Sequence, residues 1–222
     1  MQETWAKVDT YYQSLYALEN KHLRETRQAC EEEKLPDIAV SPCQGKLLNM
    51  LVTITHAKRV LEIGTLGAYS TIWMAQALPE NGKITSLEYE EEYVQIARQN
   101  VKNANLESVI EIRQGMATDT LEKMIKEGFE PFDFIFIDAD KPNNPAYFDL
   151  CLKLSKSGTL ILADNVIRQG EIINTESSDE SVRGVQKFNK MVANNKNVTA
   201  TTLQTVGIKG YDGFSLIHVE AT

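Results

Sequence analysis

Cysteine and histidine are scarce in this sequence, and neither forms a disulfide or metal-binding pattern. The three cysteines, Cys30, Cys43 and Cys151, are odd in number, lie far apart and form no CxxC pair. Such spacing is typical of free thiols in a reducing cytoplasm, where disulfides are rare. The three histidines are equally scattered, which argues against a zinc site.

Long apolar runs and an excess of positive charge are also missing. No run approaches the length of a membrane span, and the polar residues 1–4 do not begin a signal peptide. Lysine and arginine number 23 against 31 aspartates and glutamates, a net charge of −8. This balance argues against a general nucleic-acid or anionic-membrane binder, but it leaves room for a local basic groove. We therefore expect a cytoplasmic protein with no membrane partner.

The 222 residues, of which 42% are hydrophobic, are sufficient for one domain with a substantial core. Residues 1–56 contain no good strand run and show apolar residues at helical spacing, with breaks at Pro36 and Pro42. From Arg59 onward, apolar strand patterns alternate with helical ones. We divide the domain into a helical part, residues 1–56, and an α/β part, residues 57–222.

The α/β part predicts a Rossmann-like arrangement, because strand–helix alternation at this interval builds βαβ units and a doubly wound sheet. The last two predicted strands have no helix between them, so we expect an antiparallel hairpin at one edge of a mostly parallel, seven-stranded sheet. The predicted strands lie at about 59–63, 83–88, 109–113, 132–138, 158–163, 198–203 and 213–220.

Two acidic motifs follow strongly apolar runs. Residues 134–137 lead into Asp138, and residues 160–163 lead into Asp164 and Asn165. The carboxyl ends of neighbouring parallel strands share one edge of the sheet, so these oxygen donors would form a Mg²⁺ or Ca²⁺ site. The alternative is that Asp and Asn serve there only as turn formers and helix caps.

A glycine turn follows the first predicted strand. Gly64 and Gly67 precede a helix that opens near Ser70, an arrangement that leaves helix amides free for an anionic group. The dinucleotide fingerprint GxGxxG is absent, which argues against an NAD-dependent dehydrogenase. The second strand ends in Glu88, which could accept hydrogen bonds from ribose hydroxyls. Alternatively, Glu88 only begins the charged run 88–92 as a helix start.

Five segments together resemble one enzyme family, the cation-dependent class I O-methyltransferases, which include caffeoyl-CoA and catechol O-methyltransferases. They are SPCQGKLLNMLV, EIGTLGAYS, SLEYEEEY, FIDADK and ADNV, and the resemblance covers nearly the whole chain. It implies a Rossmann-like methyltransferase fold, S-adenosylmethionine as cofactor, and a divalent cation, Mg²⁺ or else Ca²⁺ or Mn²⁺. It also implies a small hydroxylated aromatic substrate and a homodimer, with residues 1–56 contributing to substrate and dimer contacts.

The resemblance assigns a role to each matching residue. Ser70 and the Val40 backbone would hold the methionine carboxylate near Glu62, Ala117 would meet the adenine, and Asp140 would contact the methionine end. Lys141 would be the general base, or would stay charged and stabilise the phenolate. The implied cofactor residues are Val40, Glu62, Gly64, Thr65, Ser70, Glu88, Ala117, Asp138 and Asp140. The implied metal ligands are Asp138, Asp164 and Asn165, and the catalytic residues are Lys141 and Asp138.

The implied substrate contacts are Asn144, Arg168 and Gln169. Asn144 and Arg168 stand where plant caffeoyl-CoA enzymes carry an aromatic residue and a tryptophan, so we expect small or polar catechols to be favoured over CoA thioesters. Two alternatives remain open. One is methylation of a hydroxylated tRNA base, and the other is a non-catalytic S-adenosylmethionine-binding scaffold. The tRNA alternative would use a basic rim formed by Lys58, Arg59, Lys141, Arg168 and Lys209.

Overall fold

The computed structural model describes residues 1–220, which form one seven-stranded sheet flanked by helices. The last two residues of the 57–222 segment lie outside the described residues. The strands are β1 Arg59–Ile63, β2 Lys83–Glu88, β3 Ile110–Gln114, β4 Phe132–Ile137, β5 Ser155–Asp164, β6 Val198–Gly207 and β7 Gly210–Val219. The helices are α1 Gln2–Tyr16, α2 Lys21–Glu32, α3 Pro42–Ile54, α4 Tyr69–Ala75, α5 Glu91–Asn103, α6 Ala117–Lys126, α7 Asn144–Lys153 and α8 Glu180–Asn194.

The strands lie in the order β3-β2-β1-β4-β5-β7-β6. Strands β1 to β5 are parallel, and β7 runs antiparallel to both β5 and β6. The chain order reverses between β1 and β4, the point at which open α/β sheets bind ligands beyond the carboxyl ends of the strands. The predicted Rossmann-like sheet with an antiparallel hairpin at its edge is confirmed.

The central strand β4 shows why its apolar run forms a strand rather than a helix. Successive side chains of a strand point to opposite faces, so a sheet covered on both faces requires apolar residues at every position. Phe134 and Phe136 pack into the core that includes Trp73 of α4. Ile135 and Ile137 pack into the core on the other face, with α7 and α8.

The register of the three central strands brings the two acidic motifs together. Ile63, the last residue of β1, pairs with Ile137, and Ile137 pairs with Ala163 of β5. The next residue on each strand therefore emerges at the same edge of the sheet. These three residues are Gly64, Asp138 and Asp164.

The β6–β7 hairpin is longer than the apolar pattern predicted. The segment 207–213, expected to be a connection, continues the ladder down to the pair Gly207 and Gly210, and only two residues form the turn. The eight central residues of β6, Thr199 to Val206, are exposed and half of them are threonines, so no apolar run marks the full length of the strand. Cross-strand pairing with β7, rather than burial, defines its ends.

The N-terminal part is helical, as predicted, and packs against the sheet unit. Ser41 caps α3 by accepting a 3.2 Å hydrogen bond from the Gln44 backbone N–H, and Pro42 occupies the first turn. The Asn49 side chain donates to the Trp73 carbonyl at 3.0 Å and so ties α3 to α4. Among residues 1–220, no helix combines the length and apolar character needed to cross a membrane.

Candidate active site

The turn after β1 approaches β4 so closely that only glycine fits. Gly64 has φ of +98°, and a Cβ at this position would clash with the backbone oxygen of Asp138. Its N–H donates to Leu87 O at 2.9 Å. The chain then passes through Ala68 in the left-handed region and enters α4. This turn is one wall of a cavity above the strand ends.

Glu62 is a fully buried carboxylate on β1 that organises the floor of this turn. It accepts hydrogen bonds of 2.6 Å from both Ser70 and Ser86, and a third from Thr71. Burial raises the pKa of Glu62 to about 7, although the three hydroxyl donors act in the opposite direction. Of these residues, only Ser70 borders the cavity, so Glu62 does not line the space and contacts it only through Ser70.

Glu88 fixes the glycine turn through its carboxylate. One oxygen accepts the backbone N–H groups of Thr65 at 3.1 Å and Leu66 at 2.8 Å. The other accepts those of Tyr89 at 2.8 Å and Glu90 at 3.0 Å. Glu88 thus fixes the backbone just before α5, as the helix-start interpretation predicted. It also holds the glycine turn beside the cavity.

The cavity above the strand ends, called the larger cavity below, has a volume of about 770 Å³, within the range of small-molecule and cofactor sites. The structure brings most of the predicted cofactor residues to its walls. Val40 is buried beside the cavity rather than lining it, and its neighbours Ile38 and Ala39 border the space instead. The predicted residues that line it are Gly64, Thr65, Ser70, Glu88, Ala117, Asp138 and Asp140, together with Lys141, Asn165 and Arg168.

Lys141 and Asp138 form an ion pair at the end of β4. The Lys141 Nζ lies 3.0 Å from Asp138 Oδ1, and Lys141 is only 7% exposed. Its burial has a visible cause, because α8 packs over the turn that follows β4. Gly184 approaches the Lys141 carbonyl so closely that a Cβ would clash with it.

Asp164 lies at the end of β5 and is 5% exposed. Its Oδ1 accepts the Asn165 backbone N–H at 2.8 Å, and its Oδ2 accepts Gln44 Nε2 at 2.6 Å. Burial and then the charge of Asp138 raise the pKa of Asp164 to about 7. A carboxylate whose charge is disfavoured by a neighbouring carboxylate suits a site that holds a cation.

The donor set at these strand ends consists of oxygen atoms. Within residues 1–220, no three His, Cys, Asp or Glu side chains cluster in a way that could hold a metal, so a third protein ligand would be of another type, and the Asn165 amide is the predicted one. Asn165 adopts φ of +54°, a left-handed conformation that asparagine tolerates better than most residues. Two carboxylates and an amide match the preference of Mg²⁺ and Ca²⁺ for oxygen.

A second cavity, of about 310 Å³, lies on the other side of Asn165. It is bordered by the first turn of α3, by Asp9 of α1 and by the β6–β7 hairpin. Asp164 and Gln169 also border it, and Asn165 borders both cavities. Asp9 accepts a 2.7 Å hydrogen bond from the Ile208 N–H at the hairpin turn, which joins α1 to this wall.

The three predicted substrate residues do not border one common cavity. Arg168 borders the larger cavity and Gln169 the smaller one, whereas Asn144 borders neither. Asn144 is fully buried at the start of α7, and its amide has no hydrogen-bond partner among the described residues. The loop that carries Arg168 is held by Asp212, whose Oδ1 accepts the N–H groups of Ile167 at 2.9 Å and Arg168 at 3.1 Å.

The basic rim considered for a tRNA substrate does not form one face. Arg59 begins β1 at the end of the sheet opposite the cavities and lies 3.5 Å from Glu130. Lys209 pairs with Asp37. Lys141 and Arg168 border the larger cavity and Lys209 the smaller one, so three of the five charges lie near these cavities, and the tRNA alternative stays a prediction.

Sequence reasoning missed three side chains that shape the site. Gln44 contacts Asp164, Asp212 holds the loop after β5, and the Tyr147 hydroxyl donates to Asp140. Gln44 and Asp212 lie far in sequence from the residues that they contact, so no local pattern could have indicated them. Tyr147 lies one helical turn into α7, and its spacing from Asp140 was the available signal.

The order of the seven strands, with an antiparallel hairpin at one edge, is that of a Rossmann-like methyltransferase, and comparison with known proteins gives the family. Residues 13–218 match the O-methyltransferase family, and the chain belongs to it. It is 45% identical over 218 residues to a catechol O-methyltransferase from Niastella koreensis, covering 98% of this chain and 99% of that one. A catechol O-methyltransferase from Mycobacterium tuberculosis is 40% identical over 212 residues, covering 96% and 94%.

A solved O-methyltransferase from Bacillus cereus, in complex with SAH, superposes with a TM-score of 0.97. It is 49% identical, and the match covers 99% of this chain and 100% of that one. The resemblance inferred from the sequence is therefore confirmed at the level of the family, and so is the assignment as an O-methyltransferase enzyme.

Proposed function

We propose that this protein transfers a methyl group from S-adenosylmethionine to one hydroxyl of a small catechol-like molecule, and that the transfer depends on a divalent cation. One observation carries the proposal. Asp138 and Asp164 emerge side by side from neighbouring strands, and Asn165 stands between a cofactor-sized cavity and a smaller one. A methyl donor in one cavity and a methyl acceptor in the other could therefore meet beside the oxygen atoms of Asp138, Asp164 and Asn165.

The larger cavity is the proposed cofactor site, supported by the SAH found in the Bacillus cereus relative. S-adenosylmethionine supplies the methyl group as an electrophile. Glu88 would accept hydrogen bonds from the ribose, because each carboxylate oxygen can accept more bonds than the backbone provides. Ser70, held by Glu62, and the first turn of α4 would receive the carboxylate of the cofactor.

Asp138, Asp164 and Asn165 would hold the cation, Mg²⁺ in the first instance. When bound, the cation supplies positive charge that favours the ionised form of a catechol hydroxyl, whose pKa of about 10 resembles that of tyrosine. The two carboxylates would supply two negative charges and the amide none. The site would then remain nearly neutral overall and could accept one further anionic oxygen.

Lys141 would accept the proton of the attacking hydroxyl. It borders the same cavity as Asp138 and Asn165, and only 7% of its surface is exposed. In the alternative role, Lys141 would keep its charge and stabilise the phenolate. Both roles require the position that the Asp138 ion pair gives it.

The smaller cavity is the proposed substrate site. Its volume of about 310 Å³ suits a single ring with short substituents, and it is bordered by Asp164 and Asn165. The names of the two curated relatives, both catechol O-methyltransferases, support the same class of substrate.

The test compares methyl transfer from S-adenosylmethionine to catechol and to resorcinol, its isomer with hydroxyls that are not adjacent. We expect methylation of catechol and a loss of at least about a hundredfold for resorcinol, since only vicinal oxygens could approach the cation site together. Equal rates for the two isomers would contradict the proposal. If the protein methylated undermodified tRNA and did not methylate catechol, the tRNA alternative would replace this proposal.

We further propose a homodimer. α1 packs beside the β6–β7 hairpin, and both elements expose large apolar side chains to solvent. Exposed apolar patches of this kind are often interfaces between proteins. They are Val8, Tyr11, Tyr12, Leu15, Tyr16, Leu203, Val206 and Ile208. Light scattering on the purified protein should give twice the 25.0 kDa mass of the chain. A monomer at micromolar concentration would contradict this part of the proposal.

A further inference from the structure

A hydrogen bond joins the N-terminal helical part directly to the proposed cation site. Gln44 Nε2 donates to Asp164 Oδ2 at 2.6 Å, although the two residues lie 120 positions apart. Gln44 belongs to the first turn of α3, which Ser41 caps. The same side chain borders the smaller cavity, so it lies between the proposed substrate space and a proposed metal ligand.

The chemistry of the pair determines how the amide is oriented. Gln44 presents its NH₂ group to Asp164, which suits the ionised form that a bound cation would favour, because an ionised carboxylate only accepts hydrogen bonds. The backbone N–H of Asn165 occupies the other oxygen at 2.8 Å. Both oxygens of Asp164 therefore have a donor that limits rotation of the carboxylate, and each keeps lone-pair capacity for a cation.

We infer that Gln44 is a positioning residue for the cation, holding Asp164 in the orientation that binds the ion, and this inference rests on the proposed cation site. Partners that orient a ligating carboxylate typically change metal affinity by about 10- to 100-fold when they are removed. Residues 1–56 would then help to determine cation affinity as well as wall the substrate cavity.

The alternative is that Gln44 only docks α3 against the sheet. Asn49 provides a matched control, because it is an amide on the same helix that donates to the Trp73 carbonyl at 3.0 Å and makes no hydrogen bond to a proposed metal ligand. Gln44→Ala removes the donor and the volume together. Gln44→Met removes the donor and keeps the length of the side chain, which protects the packing.

The experiment measures the Kd of Mn²⁺ by electron paramagnetic resonance on the full, metal-free protein, and the Kd of S-adenosylmethionine by calorimetry. We expect both Gln44 variants to raise the Kd of Mn²⁺ about tenfold or more. The Kd of S-adenosylmethionine and the melting temperature of metal-free Gln44→Met should stay near those of the wild type. Asn49→Ala should leave the Kd of Mn²⁺ unchanged.

Two results would overturn the inference while leaving the proposed function intact. One is a Kd of Mn²⁺ in both Gln44 variants within about twofold of the wild-type value, a difference too small for a lost orienting bond. The other is an equal loss in Asn49→Ala, which would assign the effect to docking of α3. If the wild-type protein bound no Mn²⁺ at all, the proposed cation site would fail, and this inference with it.

Discussion

The Lys141 ammonium lies 3.0 Å from Asp138 Oδ1, three residues along the chain, and α8 packs against the Lys141 backbone at Gly184. Lys141 is the more buried partner, with 8% of its side chain exposed against 22% for Asp138. The carboxylate proposed as a metal ligand therefore also sets the position of the proposed base. Substitution of Lys141 should affect the chemical step far more than binding of the cofactor.

Lys141→Met should lower kcat by about 10²- to 10⁴-fold, the usual contribution of a general base, and leave the Kd of S-adenosylmethionine unchanged. Lys141→Arg separates the two roles, because arginine keeps the charge but does not give up a proton. A base requires Lys141→Arg to be as inactive as Lys141→Met. If Lys141→Arg kept activity within about tenfold of the wild type, stabilisation of the phenolate would be the correct role.

Glu88→Ala should weaken S-adenosylmethionine binding by about 1.5–3 kcal/mol, the range for hydrogen bonds to a charged group. The loss has two sources, the ribose contacts and the order of the turn at Thr65 and Leu66. Glu88→Gln should cost less, since it keeps one acceptor. Calorimetry gives the Kd, with Glu92→Ala in the same acidic run as control. An unchanged Kd for Glu88→Ala would mean that the carboxylate serves the fold alone.

Glu62 should make the stability of the protein depend on pH. Its pKa is raised from 4.5 to about 7, so the folded protein retains a proton that the unfolded chain releases between these values. The free energy of unfolding should therefore decrease as the pH rises through this window. Asp164 acts in the same direction, so the contribution of Glu62 is the difference between the wild type and Glu62→Gln.

Urea unfolding at several pH values between 5 and 8 measures that difference. Glu62→Gln should lose less stability than the wild type as the pH rises, because it has no proton to release. The exposed Glu107→Gln should follow the wild type. Parallel curves for wild type and Glu62→Gln would show that Glu62 is already ionised at the lowest pH.

Substrate choice should favour small catechols over CoA thioesters. The proposed substrate cavity, bordered by Asp164 and Asn165, measures only about 310 Å³, whereas Arg168, which the resemblance assigned to the substrate, borders the larger cavity. We expect kcat/KM for caffeic acid to exceed that for caffeoyl-CoA. A tenfold preference for caffeoyl-CoA, about 1.4 kcal/mol in transition-state binding, would show that the smaller cavity does not restrict the substrate to a small catechol.

Burial explains which parts of the fold were predictable from sequence. β4 is covered on both faces, so its apolar run marked the strand and placed Asp138 at the sheet edge. β6 is exposed along most of its length, so no apolar pattern marks where it begins and ends. Its ends are set by pairing with β7. The resemblance suggested Asn144 as a substrate contact. The structure buries it away from both cavities, so that role remains a prediction without support from its position.

The site divides in the same way. Gly64, Asp138 and Asp164 follow apolar strands whose register is set by the core, and sequence reasoning could therefore place them together. Gln44 reaches Asp164 only because α3 packs beside the sheet, a tertiary contact that no spacing along the chain encodes. Local patterns identified the proposed ligands but not Gln44, which contacts one of them.

Dependence on a divalent cation tests the central claim most directly. The measurement is the rate of methyl transfer to catechol after exhaustive chelation, followed by titration with Mg²⁺, in the wild type and in Asp164→Ala. We expect no turnover in the chelated wild type, full recovery with Mg²⁺, and no recovery in Asp164→Ala, which should still bind S-adenosylmethionine. Full activity of the chelated wild-type enzyme would contradict the cation site at Asp138, Asp164 and Asn165.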